Sequence, residues 1–107
     1  METLLHFSPN LYLGDGIQAK KLDKIKEKLI NKPLLANVYI LALAHNPEDQ
    51  LEFFDARQML QHYYRQYPLE VVGIAKDYDD ALHLVERITR NCLQERGDCR
   101  LKEYLVC

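Results

Sequence analysis

Seven consecutive residues, Val38-Tyr39-Ile40-Leu41-Ala42-Leu43-Ala44, carry no charge at all. A strand points alternate side chains to opposite faces. An unbroken apolar run therefore needs cover on both faces, the situation of strands in the parallel sheets of α/β proteins. The run is far shorter than the roughly 20 residues that span a bilayer, and no other apolar stretch of the chain is longer, so the sequence predicts no membrane partner. A strand buried on both faces is the constraint that the rest of the chain has to satisfy.

The flanking sequence supplies helices to cover it. Leu4 to Phe7 and Leu11 to Leu13 read as a first strand broken at Ser8-Pro9-Asn10, followed by a turn at Gly14-Asp15-Gly16. Ile17, Leu22, Ile25 and Leu29 then repeat at helical spacing, which predicts a helix over residues 17–31. Lys32-Pro33 ends it, because proline disfavours helical geometry in the residue before it. After the second strand, Asn46 suits an N-cap, Pro47 the first helical position, and Glu48 and Asp49 the positive end of the dipole. A second helix is expected from there to about Tyr67, stopped by Pro68.

The third strand is Leu69 to Ala75, followed by Asp77 as a cap. Leu82, Val85, Ile88 (or Thr89) and Cys92 are expected to make the buried stripe of its helix, which ends near Arg96, with Gly97 suited to the left-handed position past the helix end. Asp98 can cap a last turn holding Leu101, Tyr104 and Leu105, although a fourth strand is the alternative for this tail. The expected fold is thus α/β: three βα units forming a small, mainly parallel sheet of three or, with the tail, four strands. A ferredoxin-like α+β sandwich is the runner-up if the first strand runs antiparallel. The 107 residues make one domain over residues 1–107.

Strand order has a consequence for assembly. The long uncharged run favours a central second strand and the order 1-2-3. Right-handed crossovers moving one way would then put every helix on one face. The bare opposite face predicts a homo-oligomer, most simply a two-fold dimer. The competing order, 2-1-3, puts helices on both faces.

Three cysteines, Cys92, Cys99 and Cys107, stand in the last sixteen residues with no C-x-x-C pair and no histidine at ligand spacing. No metal site is expected, nothing specifies a cofactor, and a reducing cytoplasm is the expected location. Ser8 is the only serine, and it sits beside a proline, so no serine triad is available. The first helix is the strongest local charge imbalance, with six lysines against Asp23 and Glu27 between Ile17 and Lys32, a balance of +4. With no arginine and no aromatic residue interleaved there, it reads as a solvated face and not as a nucleic-acid surface.

Two places remain for function. In a parallel sheet, ligands bind beyond the carboxyl ends of the strands. Three loops are expected at that edge, bringing Asp15, His45, Asn46, Glu48 and Asp77 together as candidate ligand-binding residues for a small molecule. The second place is the aromatic segment of the second helix, where Tyr63, Tyr64 and Tyr67 are the candidate interface, since tyrosine offers a large area with a polar tip. Replacing Tyr64 with aspartate is expected to disturb assembly and leave the chain folded. Because no catalytic constellation is legible, the chain reads as a non-catalytic module acting through self-association or a protein partner. The alternative is a small-ligand-binding or enzymatic domain with its site at the carboxyl edge of the sheet.

Overall fold

A computed structural model describes residues 5–43, 51–60 and 69–106. Strand β1 (Leu5–Leu13) leads through a 3-10 turn (Ala19–Lys21) into helix α1 (Leu22–Asn31). A second 3-10 turn (Pro33–Leu35) precedes β2 (Tyr39–Leu43), and β3 (Leu51–Asp55) runs into a third (Ala56–Leu60). Strand β4 (Leu69–Ala75), helix α2 (Tyr78–Arg96) and the short α3 (Leu101–Val106) complete the chain. It is a mixed α/β structure around one four-stranded sheet of order β1-β4-β2-β3.

Several local signals act as read. The break at Ser8-Pro9-Asn10 is a register shift: between Phe7 and Tyr12 the pairing of β1 with β4 advances only from Val71 to Gly73. Proline has no N–H to give a ladder, and such interruptions are tolerated at an edge strand. Asp77 caps α2, its carboxylate accepting from the Asp80 N–H at 2.9 Å. Gly97 ends α2 with φ 81°, and its N–H reaches the Leu93 carbonyl. The tail is helical: Asp98 accepts from the Arg100 N–H, and Leu101 is buried in the core.

The sheet is not mainly parallel. Only β1 and β4 run parallel, whereas β2 is antiparallel to both β4 and β3. The uncharged run is indeed covered on both faces, with Ile40, Leu41 and Ala42 fully buried. Helices on both sides achieve that, and the direction of the neighbouring strand is immaterial to it. The order is also neither 1-2-3 nor 2-1-3, because the Leu69–Ala75 strand lies between the other two expected strands. It too is buried throughout over residues 71–75, so the length of an apolar run did not single out one centre.

The expected second helix is also corrected. Residues 51–55 are strand β3, with Leu51 opposite Leu43 and Phe54 opposite Ile40. Alternation explains this: Phe54 is buried on one face while Leu51 and Phe53 pack on the other, and aromatic residues suit a half-buried pleated surface. The asparagine, proline and acids read as a helix start serve turns equally well. Residues 44–50 and 61–68 lie outside the described part, and with them His45, Asn46, Glu48, Tyr63, Tyr64 and Tyr67.

The core has two layers. On the first face Leu29 of α1, with Leu22 and Ile25 packed alongside, covers Ile40, Ala42, Val71, Ile74 and Phe54. On the second, Ala81, Leu84, Ile88 and Cys92 of α2 cover Leu41, Val72 and Ala75. Val71 and Val72 fall on opposite faces by ordinary strand alternation, so β4 serves both layers, and Val72 is skipped in the pairing with β2, a bulge. The bare face expected from helices on one side is therefore absent, and with it the reason first given for a dimer.

Cys92 and Cys99 are free thiols, the first buried and the second exposed. Burial pushes the Cys92 thiol up, and its Sγ donates to the Asp98 carbonyl at 3.3 Å. Because the thiolate is the reactive form, N-ethylmaleimide is expected to modify Cys99 rapidly in the native protein. Cys92 should react only in denaturant, as peptide mass mapping over time would record.

Candidate functional site

The parallel pair β1–β4 sends its two carboxyl ends to the same edge of the sheet. There Gly14-Asp15-Gly16 follows β1, and Lys76-Asp77 leads into α2. The Gly14 N–H donates to the Ile74 carbonyl at 2.8 Å, drawing the two loops together. The buried Asp80 then fastens them. Its Oδ2 accepts from the Lys76 N–H at 2.8 Å and from the Gly16 N–H at 3.2 Å. Only glycine fits beneath this carboxylate, since a Cβ on Gly14 would sit 2.3 Å from Oδ2 and 2.7 Å from Cγ.

Arg87, one helical face along α2, reaches back to the same loop. Its guanidinium donates to the Leu13 carbonyl and lies 3.3 Å from the exposed Asp15 carboxylate. Gly14, Asp15, Asp80, His83, Arg87 and Arg90 are among the residues lining a cleft of about 220 Å³. Glu86 also lines it, so two arginines face three carboxylates. Asp80 accepts from backbone N–H groups of both loops, and Arg87 donates to the Leu13 carbonyl as well as to Asp15, which makes them the means by which α2 is pinned to the β1 and β4 loops. No group of three or more histidine, cysteine or acidic residues could hold a metal among the described residues.

Of the sequence candidates, Asp15 and Asp77 do come to this edge. Asp77 faces the first turn of α2 as its cap, and Asp15 pairs with Arg87. His45, Asn46 and Glu48 lie outside the described residues. The strand before them ends at Leu43, at the opposite edge, because Tyr39 is the β2 residue level with Ala75. The three carboxyl ends therefore do not meet. Asp80 and Arg87 escaped sequence reading: an acid in the first turn of a helix looks like any dipole partner, and nothing local marks an arginine that reaches a loop 74 residues away.

At the same edge the antiparallel β2 contributes its start and β3 its end. Asp55 is clamped by Arg57, with Nη2 to Oδ2 at 2.7 Å and Nε to Oδ1 at 3.1 Å. That side-chain bond holds the Asp55 carboxyl below its usual range. Next to it Tyr78, the first residue of α2, meets Tyr39 edge-on at 6.1 Å between ring centroids and Phe53 at 5.6 Å.

This contact orients the flank of α2. At 100° per residue, Tyr78, Leu82, Val85 and Leu93 fall on one side of the helix, next to the buried stripe and not within it. Tyr78, Leu82 and Leu93 are 53%, 38% and 51% exposed. Beside them the β2–β3 half of the second sheet face presents Tyr39, Leu43, Leu51 and Phe53, each only partly buried. Both α2 and α3 pack on this face, and among the described residues the apolar surface left beside α2 continues from the sheet onto the helix. No helix among the described residues is long and apolar enough to cross a membrane.

No protein-family model, curated protein or solved structure matches the chain.

Proposed function

We propose that the chain is a non-catalytic binding module that works by self-association, the contact being the exposed flank of α2 and the β2–β3 surface beside it. The observation that carries this reading is the line of Tyr78, Leu82 and Leu93, exposed on a helix whose buried stripe is already complete with Ala81, Leu84, Ile88 and Cys92. Helix positions that serve no core of their own cost solubility unless something covers them. A two-fold arrangement is the simplest that does so, because each copy would offer the patch that the other needs. Strand β3 is an edge of the sheet and borders the patch, so it lies within reach of the same contact.

Sedimentation equilibrium decides the matter. The expected result is a concentration-dependent dimer whose association weakens at least about tenfold in Leu82→Glu and Leu93→Glu, with unfolding curves close to the parent because both side chains are exposed. A strict monomer at the highest attainable concentration overturns the proposal. So does a dimer that both substitutions leave unchanged.

A further inference from the structure

On the other side of the molecule, α1 and the 3-10 turn after it enclose a second groove, of about 380 Å³, lined by Lys24, Glu27, Lys28, Asn31, Lys32 and Leu35. Leu35, in its lining, is 58% exposed, and its chain neighbour Leu34 is 56% exposed. We propose that this groove docks an acidic segment of a partner protein, with a leucine-like side chain set against Leu35 and its carboxylates along the lysines.

Lys24, Lys28 and Lys32 follow one another at i, i+4 spacing and make a row roughly 12 Å long. Like charges at that spacing weaken a helix. Lys28 and Lys32 sit near the carboxyl end of α1, where the dipole welcomes cations. Lys24, however, lies in its first turn, and Lys20 and Lys21 precede it, at the end where the dipole opposes them. Helix stability therefore does not account for this arrangement, whereas an anionic occupant does. Lys26 takes no part, since its Nζ lies 5.3 Å from the centre of the Phe7 ring, on the side facing β1.

The exposed Leu35 in the lining selects the kind of anion. A phosphate backbone gains nothing from an apolar side chain, and the described residues lining the groove include neither arginine nor an aromatic platform for bases. A concave lining with an apolar end suits one inserted side chain, whereas a flat lipid surface would leave it empty. Charge supplies the rate and register of such an encounter, and the buried side chain supplies the residence time.

Fluorescence anisotropy tests this with a short fluorescein-labelled peptide in which glutamates alternate with leucines. Saturable binding is expected, weakening about tenfold in the double variant Lys24→Glu/Lys28→Glu and comparably in Leu35→Ser. All three positions are exposed, and circular dichroism verifies that the variants keep their fold. Binding should also weaken as salt is raised, since surface charges are screened. An oligoglutamate peptide without leucines that binds as tightly overturns the proposal, because charge alone then suffices. Equal competition by oligouridylate or by phosphatidylserine vesicles overturns it in favour of those partners, and so does the absence of any binding. None of these outcomes depends on the α2 flank, so the self-association reading stands or falls separately.

Discussion

Replacing Asp80 with alanine is expected to lower the stability of the fold by about 2–3 kcal/mol, read as a shift of the urea midpoint at unchanged slope. The carboxylate accepts from two backbone N–H groups in two different loops and sits in the first turn of α2. Hydrogen bonds to a charged acceptor are stronger than neutral ones, and donors left without a partner in a half-buried place add to the loss. Asp80→Asn should cost about half as much, because the amide keeps one acceptor oxygen and loses the charge. The distinctive expectation is coupling to Gly14. Gly14→Ala alone drives a Cβ into the Asp80 carboxylate and should itself destabilise, since that carboxylate cannot retreat without releasing Lys76 and Gly16. In the Asp80→Ala background the obstacle is gone, and the same glycine substitution should cost about 1–2 kcal/mol less. A double-mutant cycle that is additive would mean that Asp80 is not what fastens the loops.

The clasp also marks what a single sequence discloses. Each of its parts was visible as a local habit: Asp77 as a cap, Gly14 as a turn residue, Asp80 as an acid at a helix start. All three habits are real in the structure, yet the function they share, joining the ends of β1 and β4, depends on those strands being neighbours. Adjacency is a property of the sheet, and it was misjudged because the uncharged run Val38–Ala44 reads as the centre, whereas Leu69–Ala75, apolar apart from Glu70, is buried over residues 71–75 as well. The same applies to residues 51–60. Phe53 and Phe54 suit a helical stripe and a two-sided strand equally in composition, and only the neighbour supplied by β2 separates the alternatives. The aromatic candidates of the sequence, Tyr63, Tyr64 and Tyr67, lie outside the described residues, whereas the contact surface proposed from the structure draws Tyr39, Phe53 and Tyr78 from three separate stretches of chain.

The lysine-rich helix was read as solvated, and in the structure its apolar side is anchored as that reading requires. Leu29 is fully buried and Leu22 and Ile25 pack beside it. What periodicity did not reveal is that Pro33–Leu35 turns two leucines outward at the end of the lysine row. A helix stop followed by Leu34-Leu35 looks like the start of the next buried strand, and in the structure β2 begins only at Tyr39.

Alanine at Leu29 and at Ile88 should each cost about 2–5 kcal/mol, because both side chains are fully buried and a cavity adds to the lost transfer energy. The pair tests whether both faces of the sheet are truly closed. Leu29 belongs to the layer under α1 and Ile88 to the layer under α2, with the sheet between them. The substitutions share no neighbours, so the double variant should lose the sum of the two to within about 0.5 kcal/mol. Each single variant should still unfold in one transition, since both layers rest on the same strands β2 and β4, which cannot melt on one face alone. A Leu29→Ala cost below about 1 kcal/mol would instead mean that the site collapses freely around a loosely seated α1. In that event the first face would be open after all, and the surface through which copies of this chain meet would have to be sought beneath α1 instead of along α2.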